Sequence, residues 1–164
     1  MAHPHGRRQL TATRVRLVPD RIDSEIGAPL VLELLDDLAE RYGGPDPDEP
    51  SPGELAAPHG VFFVAWLDEE PAGCGGLRRY ADGIGEIKRM YTRPQARRAG
   101  VGRTVLGAVE QRARELAYAR LVLETGTKQP EAIELYRSVG YELTESYGQY
   151  RDYPDSRCFT KLLR

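Results

Sequence analysis

A chain of 164 residues, 40% hydrophobic and 29% charged, has room for one domain with a substantial core and the composition of a soluble globular protein. Its formal net charge of −2 gives no global reason to expect a nucleic-acid partner. Two isolated cysteines, Cys74 and Cys158, rule out a zinc cluster or a CxxC redox site; they are expected to be free thiols in a reducing cytoplasm, with one disulfide between them as the alternative.

The opening MAHPHGRRQL is polar, so neither a secretory signal nor a membrane span is expected there. Residues 1–12 read as a flexible tail before a single domain over 13–164, and His3 and His5 lack the further ligands of a metal site. TRVRLV, residues 13–18, alternates as a first strand ended by Pro19. The period then lengthens: Ile26, Leu30, Leu34, Leu38 and Tyr42 predict a helix over about 23–42, interrupted near Pro29 and stopped by Gly43 and Gly44.

GGPDPDEPSPGELAAPHG is too rich in proline, glycine and acid for a central strand. It reads as a loop whose carboxylates over 46–54 either meet solvent or select a cationic amine, with Glu54 opening a short helical turn. VFFVAWL (61–67), the turn DEEP and AGCGGLRRY (72–80) form a hairpin, and Gly73, Gly75 and Gly76 mark a bulge or a close backbone approach. Gly83 closes the next turn and residues 86–91 return as a strand.

There the pattern switches. GEIKRMYTRPQARRAGVG, residues 85–102, runs from that strand through a basic turn into two glycines and a helix carrying Val101, Val105, Val109, Ala113 and Leu116 on one side. Backbone N–H groups in such a turn can wrap a phosphate, and the helix directs its positive end at the same charge. A strand at 120–124 follows, then the loop TGTKQP and a helix with Pro130 in its first turn and Ala132, Leu135, Tyr136 and Val139 on one side. Gly140 ends it before a strand at 141–144, and RCFTKLL supplies the last strand. Between them lie Tyr147, Tyr150 and Tyr153, which line a substrate cleft or a homodimer interface, or pack on the body of the domain. The predicted order is β-α-loop-β-β-β-α-β-α-β-β.

With Arg97, Arg98, Ala99, Gly100, Val101 and Gly102 the chain resembles the GCN5-related N-acetyltransferase (GNAT) superfamily, whose acyl-CoA motif is Gln/Arg-x-x-Gly-x-Gly/Ala. The resemblance covers most of 13–164, and its specific part is 85–141, where the motif is followed by a strand and PEAIELYRSVGY. It implies an α/β fold: a mixed, mostly antiparallel central sheet, helices on both faces, and two parallel central strands that splay apart. It further implies acetyl-CoA as cosubstrate and an amine acceptor, and allows a homodimer; the charge, the polar start, the cysteines and the missing metal motifs add the expectation of no nucleic-acid or membrane partner, a cytoplasmic location and no metal.

Carried residue by residue, the resemblance places the pyrophosphate on residues 97–102, with the side chains of Arg97 and Arg98 adding charge-assisted contacts. Arg103 is a further cofactor candidate, with a solvated position as its alternative, and Arg93 is expected to face water. The main chain of Met90 and Tyr91 would bind the pantetheine arm as an added strand, and Thr125 and Gln129 stand near it. Tyr136 matches the family's tyrosine beside the sulfur and would act as proton donor, with plain packing as its alternative. Glu86 matches a glutamate that acts as general base in several members; strict alternation would put Glu86, Lys88 and Met90 on one strand face, where Lys88 pairs with Glu86 or repels a cationic substrate. The function implied is direct acetyl transfer to a primary amine of a small molecule or of an exposed peptide; the alternative is a non-catalytic acyl-CoA sensor. The sequence holds no HExxH and no Ser-His-Asp pattern that would suggest a metal hydrolase or serine chemistry.

Overall fold

The computed structural model describes residues 14–164, so the tail, its two histidines and Thr13 lie outside the described residues. The elements are β1 (Val15–Pro19), α1 (Gly27–Tyr42), β2 (Val61–Leu67), β3 (Glu70–Ala81), β4 (Ile84–Thr92), α2 (Val101–Glu115), β5 (Arg120–Gly126), α3 (Pro130–Ser138), β6 (Glu142–Thr144) and β7 (Ser156–Leu162), with 3-10 turns at Pro52–Leu55, Pro94–Ala96 and Gly148–Tyr150. They build one seven-stranded sheet in the order β1-β2-β3-β4-β5-β7-β6, in which β4 and β5 are the parallel pair. The fold class is the one the sequence implies: mixed α/β, mostly antiparallel.

Two apolar layers hold helices to opposite faces. Val101, Val105, Leu106, Val109 and Ala113 of α2, with Tyr136 of α3, meet Leu77, Ile87, Leu121, Leu123 and Phe159. On the other face Leu30 of α1 and Leu55 of the first 3-10 turn cover Phe62, Val64 and Cys74. That 3-10 turn carries a capping box between Ser51 and Glu54, which fits the helical turn expected at Glu54. Both cysteines are free and buried. Among the described residues no helix is long and apolar enough to cross a membrane.

Several boundaries differ from the sequence reading, three of them for a plain local reason. Helix α1 begins at Gly27 rather than near Asp23, with Pro29 in its first turn, where no backbone N–H is required and no interruption results. Strand β1 ends on Pro19 instead of before it, which an edge strand tolerates. Strand β6 starts at Glu142 because the Tyr141 N–H still donates to the carbonyl of Tyr136 at 3.0 Å.

Alternation along β4 also fails, for a local reason. Lys88 and Tyr91 pair with Gly76 and Cys74, so Arg89 and Met90 together stand opposite Gly75, and Arg89 has a positive φ of 60°. Beyond this bulge the faces exchange: Met90 joins Ile87 in the layer under α2, while Tyr91 packs in the layer under α1. Gly75 is the residue that permits it, since a Cβ there would overlap the Met90 sulfur and Val105.

The parallel pair then parts. Strands β4 and β5 pair only through Ile84↔Arg120, Gly85↔Leu121 and Glu86↔Val122, although they continue to Thr92 and Gly126. Past Glu86 their facing main-chain groups have no partner strand.

Candidate active site

The parted strands open into a cleft of about 760 Å³. Residues 87–92 form one wall, Glu124 and Thr125 the other, and the N-terminus of α2, the first turns of α3 and the tail from Tyr150 to Ser156 close its ends. Met90 and Tyr91 lie on it.

At one end, Arg98 (φ 67°) and Gly100 (φ 81°) both adopt the left-handed conformation, so the chain turns sharply into α2. The N-cap is Gly100, which has no side chain to satisfy the leading N–H groups of the helix, and α2 has no acidic residue in its first turn. Arg97, Arg98, Gly100, Val101, Gly102 and Arg103 line this end. Ala99 does not; it packs on the core under α2. Arg103 donates to Ser138 Oγ at 3.0 Å, tying α2 to α3. Arg93 does not simply face water: it bonds Glu33 of α1 at 2.8 Å and the carbonyl of Pro71 at 2.8 Å.

In the middle stand Thr125 and Gln129. Gln129 Oε1 accepts from Tyr42 Oη at 3.0 Å and from Thr125 Oγ1 at 3.5 Å, so α1, β5 and α3 meet there. Tyr136 is buried in α3, edge-to-face with Tyr141 at 5.8 Å, yet borders the cleft. Burial, with the neighbouring charge of Glu124, pushes its phenol well above the ordinary tyrosine range, so it stays protonated.

The opposite end departs most from the sequence reading. Glu86 is 1% exposed and does not line the cleft. Its Oε1 accepts from Arg78 Nε at 2.7 Å and its Oε2 from Tyr147 Oη at 2.6 Å. Lys88 pairs with Asp48 at 2.7 Å rather than with Glu86, and donates to Tyr150 Oη at 2.9 Å. Asp48 also takes Arg78 at 2.7 Å, and Asp46 takes Arg89 at 2.7 Å. Two carboxylates of the acidic segment are thus engaged by three cations of β3 and β4, which ties the loop to the sheet, and Asp46 also lines the cleft. Of the tail tyrosines, Tyr150 and Tyr153 border the cleft, while Tyr147 packs between Tyr80 and Tyr150.

One functional-looking residue had no flag in the sequence. Glu124 lies two residues past the last β4–β5 pair, on the cleft wall, and accepts a hydrogen bond from Ser156 Oγ at 2.9 Å. Burial raises its carboxyl to about 7; the Ser156 bond and Lys88 oppose the shift, and Asp46 and Glu86 add to it. The only trace in the sequence is an acid directly after the apolar run LVL.

A family model described as Acetyltransferase (GNAT) family matches residues 31–141. An uncharacterised N-acetyltransferase of Bacillus subtilis is 38% identical over 112 residues, 67% of this chain and 74% of that one. Among solved structures, a Klebsiella pneumoniae protein named as an acyl-CoA N-acyltransferase superposes with a TM-score of 0.77 at 28% identity, covering 92% of this chain and 98% of its own. A GNAT family acetyltransferase from Elizabethkingia anophelis with acetyl-CoA bound shares the fold at a TM-score of 0.67 and 22% identity, covering 91% and 98%.

Proposed function

The chain belongs to the acetyltransferase (GNAT) family and is an acyltransferase; from that premise we propose that it transfers the acetyl group of acetyl-CoA to a primary amine of a small molecule or of an exposed peptide. The observation that carries this reading is the parting of β4 from β5 after Glu86↔Val122, which leaves main-chain donors and acceptors facing a cleft that ends on the uncapped start of α2. A linear ligand with an amide-bearing arm and a pyrophosphate fits both features. The main chain at Met90 and Tyr91 would hold the arm as an added strand, and the N–H groups of residues 98–102 with the guanidinium groups of Arg97 and Arg98 would hold the phosphates.

Acetyl-CoA, when bound, supplies an activated thioester. The neutral amine nitrogen would attack the acetyl carbonyl, forming the C–N bond as the C–S bond breaks; Tyr136 would give the departing sulfur a proton, and the one proton that the nitrogen loses on becoming an amide would restore the phenol. Glu86 is not assigned the base, because Arg78 and Tyr147 occupy its two oxygens.

Calorimetric titration with acetyl-CoA, followed by a thiol assay for released CoA across a panel of amines and mass measurement of the product, tests the reading. Binding plus CoA release with at least one amine class is expected; no binding of acetyl-CoA overturns it. Tyr136→Phe is expected to lower kcat by about 10- to 100-fold, with acetyl-CoA affinity retained.

A further inference from the structure

We propose that Glu124 is the residue that accepts the proton of the incoming ammonium, a role that rests on the transferase reading above. A base for this step has to reach the cleft and keep an oxygen open toward it. Glu86 meets neither condition. Glu124 meets both. It stands on the splayed part of β5, on the face of the sheet shared with Val122 and opposite that of Leu123. Its Oε1 takes the Ser156 hydroxyl. Among the described residues its Oε2 has no hydrogen-bond or ion-pair partner, and it is not sealed away either, since no buried polar atom lacks a partner.

The surrounding network keeps this carboxylate free. Lys88, the cation that faces it from β4, is held by Asp48 and by Tyr150 Oη and forms no ion pair with Glu124. The other titratable groups around it are Glu86 on β4, Asp46 in the acidic loop, Tyr42 on α1, Tyr136 on α3, Tyr150 in the third 3-10 turn and Cys158 on β7. Tyr136 and Glu124 border the same cleft from α3 and β5, which sets a proton donor and a proton acceptor on either side of the place where the strands diverge. The step is a proton transfer alone: one N–H bond of the ammonium breaks, one O–H bond forms on Glu124 directly or through one water, the amine becomes neutral, and the acid later releases its proton to solvent. Ser156 is a positioning residue that acts through Glu124.

Two measurements test this. The first is carboxyl ¹³C NMR of Glu124 in the ligand-free protein. A midpoint near 7 is expected, as burial predicts, and Ser156→Ala is expected to move it up by about half a unit to one unit, the size of one lost hydrogen bond. A midpoint below about 5, the range of an ordinary glutamate, overturns the proposal. The second is the pH profile of kcat/KM, which reports the groups of the free enzyme, together with kcat at saturating acetyl-CoA and amine. The unmodified chain is expected to show a rising limb that tracks the NMR midpoint; Glu124→Gln is expected to lose that limb and about 100-fold in kcat while binding acetyl-CoA normally, and Glu86→Gln to keep the limb. A limb and turnover unchanged in Glu124→Gln, or a limb lost only in Glu86→Gln, overturns the role. The transferase reading fails separately, in a wild-type chain that releases no CoA with any amine.

Discussion

The two ends of the cleft are built in different ways. The end at the start of α2 is contiguous in sequence and mostly main chain: a left-handed pair, Arg98 and Gly100, and the open N–H groups that follow. The opposite end is assembled from side chains of distant segments. Asp46 and Asp48 come from the loop after α1, Arg78 from β3, Glu86, Lys88 and Arg89 from β4, Glu124 from β5, and Tyr147, Tyr150 and Ser156 from the tail. One end therefore depends on a backbone conformation and the other on charge cancellation in a buried network, and each is vulnerable to a different kind of substitution.

The largest effect is expected where the network is cut. Asp48 is 12% exposed in its side chain and holds Arg78 and Lys88, themselves 14% and 7% exposed, at 2.7 Å each. Asp48→Ala leaves two largely buried cations short of a counter-charge, a loss on the order of 2–4 kcal/mol in unfolding free energy, measured by urea denaturation at pH 7. The same pair of cations sets the pH window. Burial alone would raise the Asp48 carboxyl, but the Lys88 and Arg78 contacts outweigh it and hold it below the usual range. A carboxyl lowered in the folded state stabilises above its unfolded pKa, and that contribution is lost as pH falls through the folded value. The gap between the unmodified chain and Asp48→Ala should accordingly narrow on acidification below about pH 4. A gap that stays constant down to low pH would mean that the acidic loop is held by packing, and the contrast between the two ends would weaken.

At the other end the matching change is Gly100→Ala. No atom lies within 4 Å of the place where its Cβ would stand, so the substitution removes no contact and clashes with nothing. What remains is the cost of a left-handed φ of 81° for an L residue, about 1–2 kcal/mol. The turn can relax only by moving the N–H groups beside it, so acetyl-CoA affinity is expected to fall by about 5- to 30-fold in a calorimetric titration, the fold-change of that energy. Unchanged affinity would indicate that the guanidinium groups, not the main chain, hold the phosphates.

The same contrast explains what could be read from the sequence. The turn before α2 is a local object: its glycines, its arginines and the helical period after them all fall within residues 85–116, and the parallel strand beyond follows from one crossover. The sheet class and nearly every element were accessible for that reason. Glu86 was placed on the correct strand, but nothing within β4 announces that Arg78, eight residues upstream, and Tyr147, 61 residues downstream, would occupy both of its oxygens. The exchange of faces after Lys88 was hidden because a bulge is a register event between strands: it appears only when Gly75 is set opposite Arg89 and Met90. Glu124 passed as the polar end of a strand because its significance depends on where β4 leaves off pairing.

The smallest expected effect concerns Glu124, the carboxylate of the side-chain end that keeps one oxygen unpaired among the described residues. The folded chain raises Glu124 from 4.5 to about 7, chiefly by burial. Between those values the folded state keeps a proton that the unfolded chain has lost, so stability falls as pH rises through this range and stays reduced above it. Glu124→Gln is never ionised and escapes that loss. Near pH 5 the variant and the unmodified chain should melt together; at pH 8 the variant should be the more stable. The pKa-to-energy conversion caps the difference at about 3 kcal/mol, and solvent reaching the open oxygen reduces it to about 1 kcal/mol, or about 2–4 °C in Tm for a chain of this size. A variant that melts lower at both pH values would make Glu124 part of the structural charge network, like Glu86. A variant that melts higher at pH 8 while turning over poorly would identify a carboxylate whose charged form works against stability, as expected of a group kept for its chemistry.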